Sequence, residues 1–551
     1  LIGIYEKENP NSVWHDHCPW DYENWLFDAD YDRIMPWLEE SLNRMPIFAD
    51  LGIKREVHGA ISHPPDGNPL IGPAPGVRNY WCCCGTQIGI GWGPGLSREL
   101  ARWMVHGAAD ISMRDYDPRR FGSYATKDWQ VVKAKEDYCL RHEIPFPHFN
   151  RLAGRPIKPS PLHDRLKEKG AVHEEVYGHE RPRWFARNGV PQQDHYSFRR
   201  NAVHDLVGEE CRAVRERAGI MDVTAFTKVI VGGPDAERFL DGLVANRLPK
   251  KPGGIALTHL LNRRGRIEIE TTVVKFEEGY YYLVCAAFFE QRLLDHLNAH
   301  LAVFDGDQIA IRNHSTGWAA LSLQGPKSRD ILAACTDAGL DNAQFRWMSA
   351  QQIVIAGENV WAMRMSYAGE LGWEFHMPRE SALPVYDALW AAGEAHGIAD
   401  YGSFAMNALR MEKGFKGAGE LTNEVTLAEA DVLRFVRTDK DYVGRDKTLN
   451  TEMPWVCAYL EIEPDGVVDG HGGEAVLLDG VVVGSTASVA YGHTVGKILA
   501  FAYVKPHAVK AMSGVEVVIH SEPRAARFLD EPAYDPQSLR PRTDVMQEAA
   551  E

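Results

Sequence analysis

The pattern of apolar and polar residues predicts the secondary structure of the first hundred positions. In "DADYDRIMPWLEESLNRMP" the apolar residues Ile34, Leu38 and Leu42 recur every four positions, which predicts an amphipathic helix. "PPDGNPLIGPAPGVRNYW" is dense in proline and glycine, which is typical of loop and turn between short strands. The stretch "WCCCGTQIGIGWGPGLSRELARWMVHG" then predicts a strand, a glycine-rich loop and a helix that begins near Pro94.

One pattern occurs twice in the middle of the chain. "TKVIVGGPDAERFLDGLVANRL" and "AALSLQGPKSRDILAACT" each predict a strand, a Gly-Pro turn and a helix, and they lie about ninety residues apart. Pro234 in the first helical turn and Asp235 beside it suit a helix start. The repeated pattern indicates two related α+β halves.

Period-two alternation marks one hairpin between these units and further strands after them. "THLLNRRGRIEIETTVVKF" turns at Arg263, Arg264 and Gly265, after which Ile267, Ile269, Thr271 and Val273 share one face and Glu268, Glu270 and Thr272 share the other. From about residue 450 the chain is rich in strands, with a hairpin signal at Asp479-Gly480. A small C-terminal β domain or barrel is expected there.

Composition narrows the class of protein. The 551 residues are enough for about three or four domains, and 45% hydrophobic with 25% charged residues is ordinary for a globular protein. The net charge of −16 and the absence of a basic stripe argue against nucleic acid as a partner. No apolar run reaches transmembrane length, so no membrane is expected. Nine scattered cysteines without a C-x-x-C pair indicate a reduced, intracellular protein without structural zinc.

The glycine-rich stretch at 81–107 does not fit a phosphate-binding fingerprint. Its glycines stand at 85, 89, 91, 93 and 95, whereas dinucleotide-binding folds use G-x-G-x-x-G between strand and helix. By spacing alone, a tight structural turn is the better interpretation.

The wider string from 58 to 107, "HGAISHPPDGNPLIGPAPGVRNYWCCCGTQIGIGWGPGLSRELARWMVHG", resembles the end of the FAD domain in the dimethylglycine dehydrogenase and sarcosine dehydrogenase family. In that family this segment lies against the flavin, whereas the phosphate-binding fingerprint and the covalent flavin histidine lie far upstream. The resemblance implies a chain truncated at its N-terminus that does not bind FAD tightly alone. It carries the role of FAD-binding residues onto Pro65, Asp66, Gly72, Gly85, Gly89 and Ile90.

The resemblance continues through the folate region of the family. "SYAGELGWEFHMPRESALPVYDALW" and "DYGSFAMNALRMEKGFK" resemble the tetrahydrofolate-binding part that the family shares with the aminomethyltransferase of glycine cleavage. It implies that Glu374 is the carboxylate that accepts two hydrogen bonds from the pterin and that Tyr367 lines the same pocket. A hairpin with "AMRMSY" and "WEFHM" as its strands is expected to bring these two residues close together.

Two further residues have open alternatives. Glu270 stands where many relatives have an aspartate that is proposed to assist proton removal, so the resemblance implies a catalytic carboxylate; alternatively it lies on the solvent-facing side of its sheet. Arg410, on a helix that Ser403 could cap, is a candidate for binding the folate tail, but an ion pair with Glu412 or Asp400 is equally plausible.

Other histidines give weak signals. "HDHC" from His15 to Cys18 lacks other clustered ligands, so it is interpreted as structural and no metal site is predicted. His58 and His63 lie close to the expected flavin side, but nothing in their spacing demands a role.

The expected architecture is therefore a multidomain α+β protein. Residues 1–115 are the C-terminal part of an FAD-dependent, D-amino-acid-oxidase-like domain, 116–175 a connector or middle domain, 176–430 an aminomethyltransferase-like folate domain and 440–535 a C-terminal β-barrel.

The resemblance implies oxidative N-demethylation of dimethylglycine, sarcosine or a similar amine. FAD would take a hydride, tetrahydrofolate would capture the one-carbon unit as methylenetetrahydrofolate, and an electron-transfer flavoprotein or oxygen would accept the electrons. The expected compartment is the bacterial cytoplasm or the mitochondrial matrix. The alternatives are a non-catalytic relative of the pyruvate dehydrogenase phosphatase regulatory subunit and a folate-dependent aminomethyltransferase that needs no flavin.

Overall fold

The computed structural model describes residues 2–7, 10–14, 16–306, 308–449 and 452–543. The backbone divides into two compact units. The first comprises the chain up to Ala101 with Met113–Pro145 and Arg151–Arg155, and the second comprises Arg102–Ser112, Phe146–Asn150 and the chain from Pro156 onward. Within the described ranges, no helix is both long enough and apolar enough to cross a membrane.

The first unit contains short strands and three helices, the second of which continues into the other unit. They are α1 (Tyr31–Arg44), β1 (Leu70–Pro73), β2 (Trp81–Cys84), α2 (Gly89–His106) and α3 (Lys127–Leu140). The predicted helix is confirmed as α1, whose first turn is capped when the Asp30 carboxylate accepts from the Arg33 N–H. Strands β1 and β2 pair antiparallel across the proline- and glycine-rich turn.

Helix α2 corrects one expectation. It begins at Gly89, five residues before Pro94, so Pro94 lies inside the helix and Gly89 and Ile90 belong to its first turn rather than to a loop. Pro94 is the sixth residue of the helix and has no N–H, so one intrahelical hydrogen bond near the start of the helix is missing. The glycine-rich loop proper is therefore shorter than expected and centres on Gly85, which has a φ of +72°.

The second unit carries a two-stranded, a five-stranded and a six-stranded sheet and a barrel. Its elements up to residue 313 are α4 (His163–Glu168), β3 (Ala171–Val176), β4 (His179–Phe185), α5 (Ala202–Glu216), β5 (Ala218–Asp222), β6 (Thr227–Gly232), α6 (Ala236–Asp241), β7 (Ile255–Leu261), β8 (Ile267–Glu277), β9 (Tyr280–Cys285), α7 (Glu290–Leu301) and β10 (Ala310–Asn313). The remaining elements are β11 (Trp318–Gln324), α8 (Ser328–Ala333), β12 (Ser349–Ile355), β13 (Glu358–Arg364), β14 (Gly372–Pro378), α9 (Ala382–Gly393), β15 (Ile398–Asp400), α10 (Ser403–Glu412), α11 (Arg445–Leu449), β16 (Val456–Ile462), β17 (Ala475–Leu478), β18 (Val481–Gly492), β19 (Lys497–Val504), β20 (Val515–Ile519) and β21 (Glu522–Leu529).

The two strand–Gly-Pro–helix units lie in different sheets. Strand β6 belongs to a five-stranded sheet of order β10-β6-β9-β8-β7, and β11 belongs to a six-stranded sheet of order β12-β13-β14-β11-β5-β15. The glycine that precedes the proline of each Gly-Pro turn has nearly the same conformation, with φ of +128° at Gly233 and +126° at Gly325. A Cβ at either position would lie within 2.6 Å of a backbone carbonyl oxygen, which explains why both turns require glycine.

Both predicted hairpins are confirmed. Strands β7 and β8 join at Gly265, and Ile267, Ile269, Thr271 and Val273 are buried while the alternating glutamates are half-exposed. At the C-terminus, β16 to β21 form a closed six-stranded barrel. Its β17–β18 turn has positive φ at both Asp479 and Gly480, as a type I′ hairpin turn requires.

Candidate functional site

Glu374 lies in the middle of β14, between β11 and β13. Ser322 is its partner on β11 and Met363 its partner on β13, so the predicted hairpin of β13 and β14 is present. Only 8% of the residue is exposed, and Nε2 of the His376 imidazole lies 3.5 Å from Oε2. That distance exceeds a normal hydrogen bond. Within the described ranges, no protein group donates a hydrogen bond to this carboxylate.

His376 lies two residues further along β14 and is fully buried. Burial lowers the pKa of its imidazole, so the ring is neutral at physiological pH. The Tyr282 hydroxyl on β9 lies 2.9 Å from Nδ1, and burial raises the pKa of that phenol well above its ordinary value. Tyr282 therefore donates to Nδ1, which places the ring proton on Nε2 beside Glu374.

The sequence alone predicts no role for His376 or Tyr282. The alternation of a strand places Glu374 and His376 on one face, which is a signal that was available in "WEFHM". Tyr282 is ninety-four residues upstream, on a different sheet, and nothing in the sequence pairs it with His376.

Tyr367 lies in the loop between β13 and β14, and its contacts are with the segment that follows α10. Its hydroxyl donates to the Lys416 carbonyl oxygen at 3.1 Å, and its ring stacks on Phe415 with centroids 6.0 Å apart. A Cβ at Gly417 would meet the Tyr367 hydroxyl at 3.0 Å, so glycine makes this approach possible. Burial raises the pKa of Tyr367, while the nearby Arg410 lowers it.

Arg410 is buried on α10 and is held by groups of the same segment. Its guanidinium donates to the Glu420 carboxylate and to the Phe415 carbonyl oxygen, at 3.1 and 2.9 Å. The ion-pair alternative therefore describes its contacts, although the acid is Glu420 and not Glu412 or Asp400. Ser403 does not cap the helix: Gly402 is the N-cap, and the Ser403 hydroxyl donates to Glu174.

Glu420 is a buried acid that the sequence argument missed. It is fully buried, and its Oε2 also accepts the Gly417 N–H at 2.7 Å. Its Oε1 is buried without a hydrogen-bond partner in the described chain. The structure thus brings Tyr367, Arg410 and Glu420 together. Glu374 forms a second contact group with His376 and Tyr282.

Glu270 lies on β8 directly opposite His259 on β7. His259 is fully buried, its Nε2 lies 3.5 Å from Glu270 Oε1, and neither ring nitrogen has a hydrogen-bond partner among the described residues. The Phe435 ring lies 6.1 Å from the His259 ring, so this face of the sheet is partly covered. A plain solvent-facing strand therefore does not describe the position of Glu270, whose charge raises the pKa of Tyr367.

The residues with expected flavin contacts lie around one turn of the first unit. Asp66 is bound by the buried Arg120, which donates to both carboxylate oxygens at 2.6 and 2.8 Å. The next residue, Gly67, has a φ of +74° and leaves no room for a Cβ beside the Asp137 carboxylate. Asp66 and Pro65 thus have a structural part in this turn.

The glycines of this region differ in their surroundings. Gly72 is in β1 opposite Cys82, and a Cβ at Gly85 would lie 2.6 Å from the Pro64 ring. Gly89 and Ile90 are exposed in the first turn of α2, and Ile90 is 96% exposed. The structure thus packs Gly85 against the turn that holds Pro65 and Asp66, and leaves Gly89 and Ile90 on the surface.

The remaining histidines make local contacts. Nδ1 of His58 is 2.7 Å from the Asp28 carbonyl oxygen, and Nε2 of His63 is 2.6 Å from the Asp137 carboxylate. His15 of the "HDHC" stretch lies outside the described residues. In the described chain no group of three or more histidine, cysteine or acidic residues is arranged to hold a metal ion.

Comparison with known families decides the relationship of this chain. The model of the GCVT N-terminal domain matches residues 162–440, just over half of the chain. The chain belongs to the GCVT family. The model of the glycine cleavage T-protein C-terminal barrel domain matches residues 456–535, and that of the FAD dependent oxidoreductase central domain matches 106–160. These matches confirm the expected combination of FAD-dependent oxidoreductase, aminomethyltransferase-like and barrel regions.

Similar proteins include oxidoreductases and one regulatory protein. The chain is 33% identical to human mitochondrial dimethylglycine dehydrogenase, over 98% of this chain and 63% of that protein. It is 33% identical to mouse mitochondrial sarcosine dehydrogenase, over 92% of this chain and 59% of that protein. It is 27% identical to the mouse mitochondrial pyruvate dehydrogenase phosphatase regulatory subunit, over 95% of this chain and 61% of that protein. The predicted resemblance is confirmed, and this chain spans less than two thirds of each relative.

A solved structure supports the fold. The aminomethyltransferase T of the Bartonella henselae glycine cleavage system superimposes with a TM-score of 0.59 over 69% of this chain and 98% of that chain. At 21% identity this likeness concerns the fold alone. The expected multidomain α+β class with a C-terminal barrel is confirmed.

Proposed function

We propose that this chain forms the folate-binding part of an FAD-dependent oxidoreductase that demethylates a small N-methylated amine such as dimethylglycine or sarcosine. The one-carbon unit passes to tetrahydrofolate and gives methylenetetrahydrofolate. The electrons pass from FAD to an electron-transfer flavoprotein or to oxygen. The names of the relatives, and the match to both FAD-dependent and GCVT domain models, support this proposal.

The observation that carries the proposal is the state of the Glu374 carboxylate. A carboxylate that is 8% exposed loses most of its hydration, and burial of a charge is costly unless hydrogen bonds replace the water. In the part of the chain that the structure describes, His376 is the one basic group within 4.0 Å of the Glu374 carboxylate, at 3.5 Å. A pterin ring presents a ring N–H beside an amino group, so it supplies two parallel donors for one carboxylate.

Other polar atoms also fit a polar ring system. Buried atoms without hydrogen-bond partners in the described chain include Nε2 of His376, both ring nitrogens of His259 and Oε1 of Glu420. Such orphaned groups are rare in proteins and call for a partner such as a ligand or an ordered water. We infer that the Glu374 group and the Tyr367 group line one pocket for tetrahydrofolate.

Each residue then has a distinct part. Glu374 binds the pterin, and Tyr282 holds the neutral His376 so that its Nε2–H faces Glu374. Tyr367 lines the pocket, and the Arg410–Glu420 pair fixes the segment against which Tyr367 stacks. Glu270 is the candidate to accept a proton near the reacting nitrogens. Bound tetrahydrofolate supplies the nucleophilic nitrogens that capture the one-carbon unit, and FAD supplies the hydride acceptor.

The flavin side is proposed for the turn that holds Pro65, Asp66 and Gly85, with Gly72, Gly89 and Ile90 beside it. Because Arg120 occupies the Asp66 carboxylate, the backbone of this turn is the part available to a flavin. The exposed Ile90 and Gly89 offer an apolar contact with little steric hindrance.

The test is a titration of tetrahydrofolate into the chain, followed by tryptophan fluorescence and by heat. The variant is Glu374→Ala, and the matched control is Glu358→Ala on the neighbouring strand β13. Saturable binding that Glu374→Ala abolishes and Glu358→Ala preserves is the expected result. A folded chain that does not bind would overturn the folate assignment.

A non-catalytic regulatory role is the second candidate, because a regulatory subunit is among the similar proteins. The lack of tetrahydrofolate binding in the titration above would favour it. The near-complete burial of an acid that lacks hydrogen-bond donors argues against it, because a protein that binds no ligand gains nothing from such an acid.

A further inference from the structure

A cavity lies in the second unit, with walls that include neither Glu374 nor Tyr367. It has a volume of about 230 Å³ and lies where α5, α10, the loop at 465–473 and the barrel strand β18 meet. Its lining includes Phe404 of α10 and Tyr491 of β18. The known relatives' names and the proposed function assign nothing to it.

Five histidines line this cavity. His195 has its Nε2 3.2 Å from the Pro191 carbonyl oxygen, and the other four, from separate segments, are His148, His204, His471 and His493. The His204 and His493 rings are 4.8 Å apart, and the His148 and His471 rings are 6.2 Å apart. Among the described residues, none of these four imidazoles makes a hydrogen bond, although Nδ1 of His204 lies 3.7 Å from the Asp469 carboxylate. Burial lowers the pKa of each ring, so each is neutral and presents one donor and one acceptor nitrogen.

A glycine makes room for one of these rings. Gly208 lies in the interior of α5, where glycine weakens a helix relative to alanine. A Cβ at Gly208 would lie 2.8 Å from Nδ1 of His493. The position of His493 therefore depends on a residue that the helix itself does not favour, and simple filling of the space by apolar side chains does not explain it.

The charged residues that line the cavity are three arginines and two aspartates. Arg200 donates to both oxygens of Asp469, at 2.8 and 2.6 Å, and Arg183 donates to Asp194 at 2.5 Å, so these two pairs are neutral overall. Arg199 is exposed at the cavity, and its guanidinium has no partner within the described chain. One unpaired guanidinium and several imidazole donors favour an anion.

We propose that this cavity binds a small planar organic carboxylate. The carboxylate contacts Arg199 and an imidazole N–H. The Arg183 and Arg200 guanidiniums lie 4.8 and 4.2 Å from the Phe404 and Tyr491 ring centroids, so the planar body lies against the other parts of these two rings. The volume is below that of a drug-sized site, which restricts the ligand to about ten non-hydrogen atoms.

The first experiment uses benzoate as the probe with the full chain and measures binding by calorimetry. Benzyl alcohol and benzylamine have the same ring with a neutral or a cationic group. We expect one benzoate per chain with a dissociation constant of about 1 mM, and binding at least about tenfold weaker for both controls. No binding at about 10 mM, or a preference for benzylamine, would overturn the proposal.

Two variants locate the site. Arg199→Gln removes the exposed charge and His204→Phe keeps a ring but removes both nitrogens, and each is expected to weaken benzoate binding about fivefold. Arg346→Gln is the control, because Arg346 is an exposed arginine that does not line the cavity. Unchanged binding in folded Arg199→Gln and His204→Phe would refute the location. Glu374→Ala should bind benzoate normally, so this test and the folate test fail independently.

Discussion

Replacement of Arg215 by methionine removes the centre of a buried charged network. The guanidinium donates to Glu412 at 2.7 Å and to Glu370 at 3.1 Å, and it also donates to the carbonyl oxygens of Ala368 and Leu409. Arg215 is 5% exposed and both acids are 1% exposed. One side chain thus joins α5 to the end of α10 and to the loop that carries Tyr367.

The expected loss of unfolding free energy depends on the hydrogen-bond donors that each acid keeps when Arg215 is replaced. Glu412 keeps the N–H and hydroxyl of Thr494, at 2.6 and 2.8 Å, and Glu370 keeps Arg540 at 2.7 Å. Removal of one partner from a buried ion pair costs about 3–5 kcal/mol, and the retained donors favour the lower part of that range. Each orphaned carbonyl adds about 1 kcal/mol. We therefore expect Arg215→Met to lower the free energy of unfolding by about 4–5 kcal/mol.

The loss also depends on pH with a defined sign. Burial raises the pKa of Glu370, and Arg215 opposes that rise. Without Arg215 the folded-state pKa rises further, so the added cost is absent at low pH and develops as pH rises from the wild-type folded pKa to the higher folded pKa of the variant. The variant should lose more stability at pH 8 than at pH 5.

Urea denaturation followed by circular dichroism at both pH values measures this effect. Arg217→Met is the matched control, because Arg217 is exposed and its Nε donates only to the Gly397 carbonyl oxygen at 3.0 Å. The control should lose less than about 1 kcal/mol. If Arg215→Met behaves like the control, or loses equally at both pH values, the network does not stabilise the fold in the way argued.

Two further changes test single buried groups. Burial raises the pKa of Glu210 to about 8, so its contribution to stability is complete below the unfolded pKa near 4.5 and is lost as pH rises through 8. Glu210→Gln should therefore flatten the dependence of unfolding free energy on pH between these values, as measured by urea titrations. An unchanged pH dependence would contradict the assignment. Tyr282→Phe removes the hydroxyl that fixes the His376 tautomer, so we expect tetrahydrofolate binding to weaken about fivefold while the thermal midpoint changes little. Tyr280→Phe, at an exposed tyrosine, is the control. Unchanged affinity in Tyr282→Phe would show that His376 does not belong to the site.

The sequence predicts elements whose causes are local. Helix α1 follows from one apolar stripe, and the Asp479-Gly480 hairpin follows from two adjacent residues that tolerate positive φ. The two Gly-Pro units were found because Gly233 and Gly325 are required by their own turns. In each case the information lies within about twenty residues.

The features that the sequence does not predict depend on contacts between distant parts of the chain. Arg410 had several acids within reach of its helix, and only the fold selects Glu420, ten residues downstream on an irregular segment. The role of Tyr282 requires that β9 of one sheet meets β14 of the other. The start of α2 was misplaced because Pro94 is a strong N-terminal signal, yet a helix accepts proline near its first turn.

The loop that carries Tyr367 is held by buried charges as well as by the apolar packing of Ala368 and Leu371. Gly369 in this loop has a φ of +81°, and a Cβ there would lie 2.3 Å from the Lys413 side chain. The Lys413 ammonium is itself bound to the Asp535 carboxylate at 3.1 Å, and Arg215 holds Glu370. Buried ion pairs give little net stability compared with apolar residues of similar volume. Their value here is geometric, because Arg215 and Arg540 both hold Glu370, three residues from Tyr367.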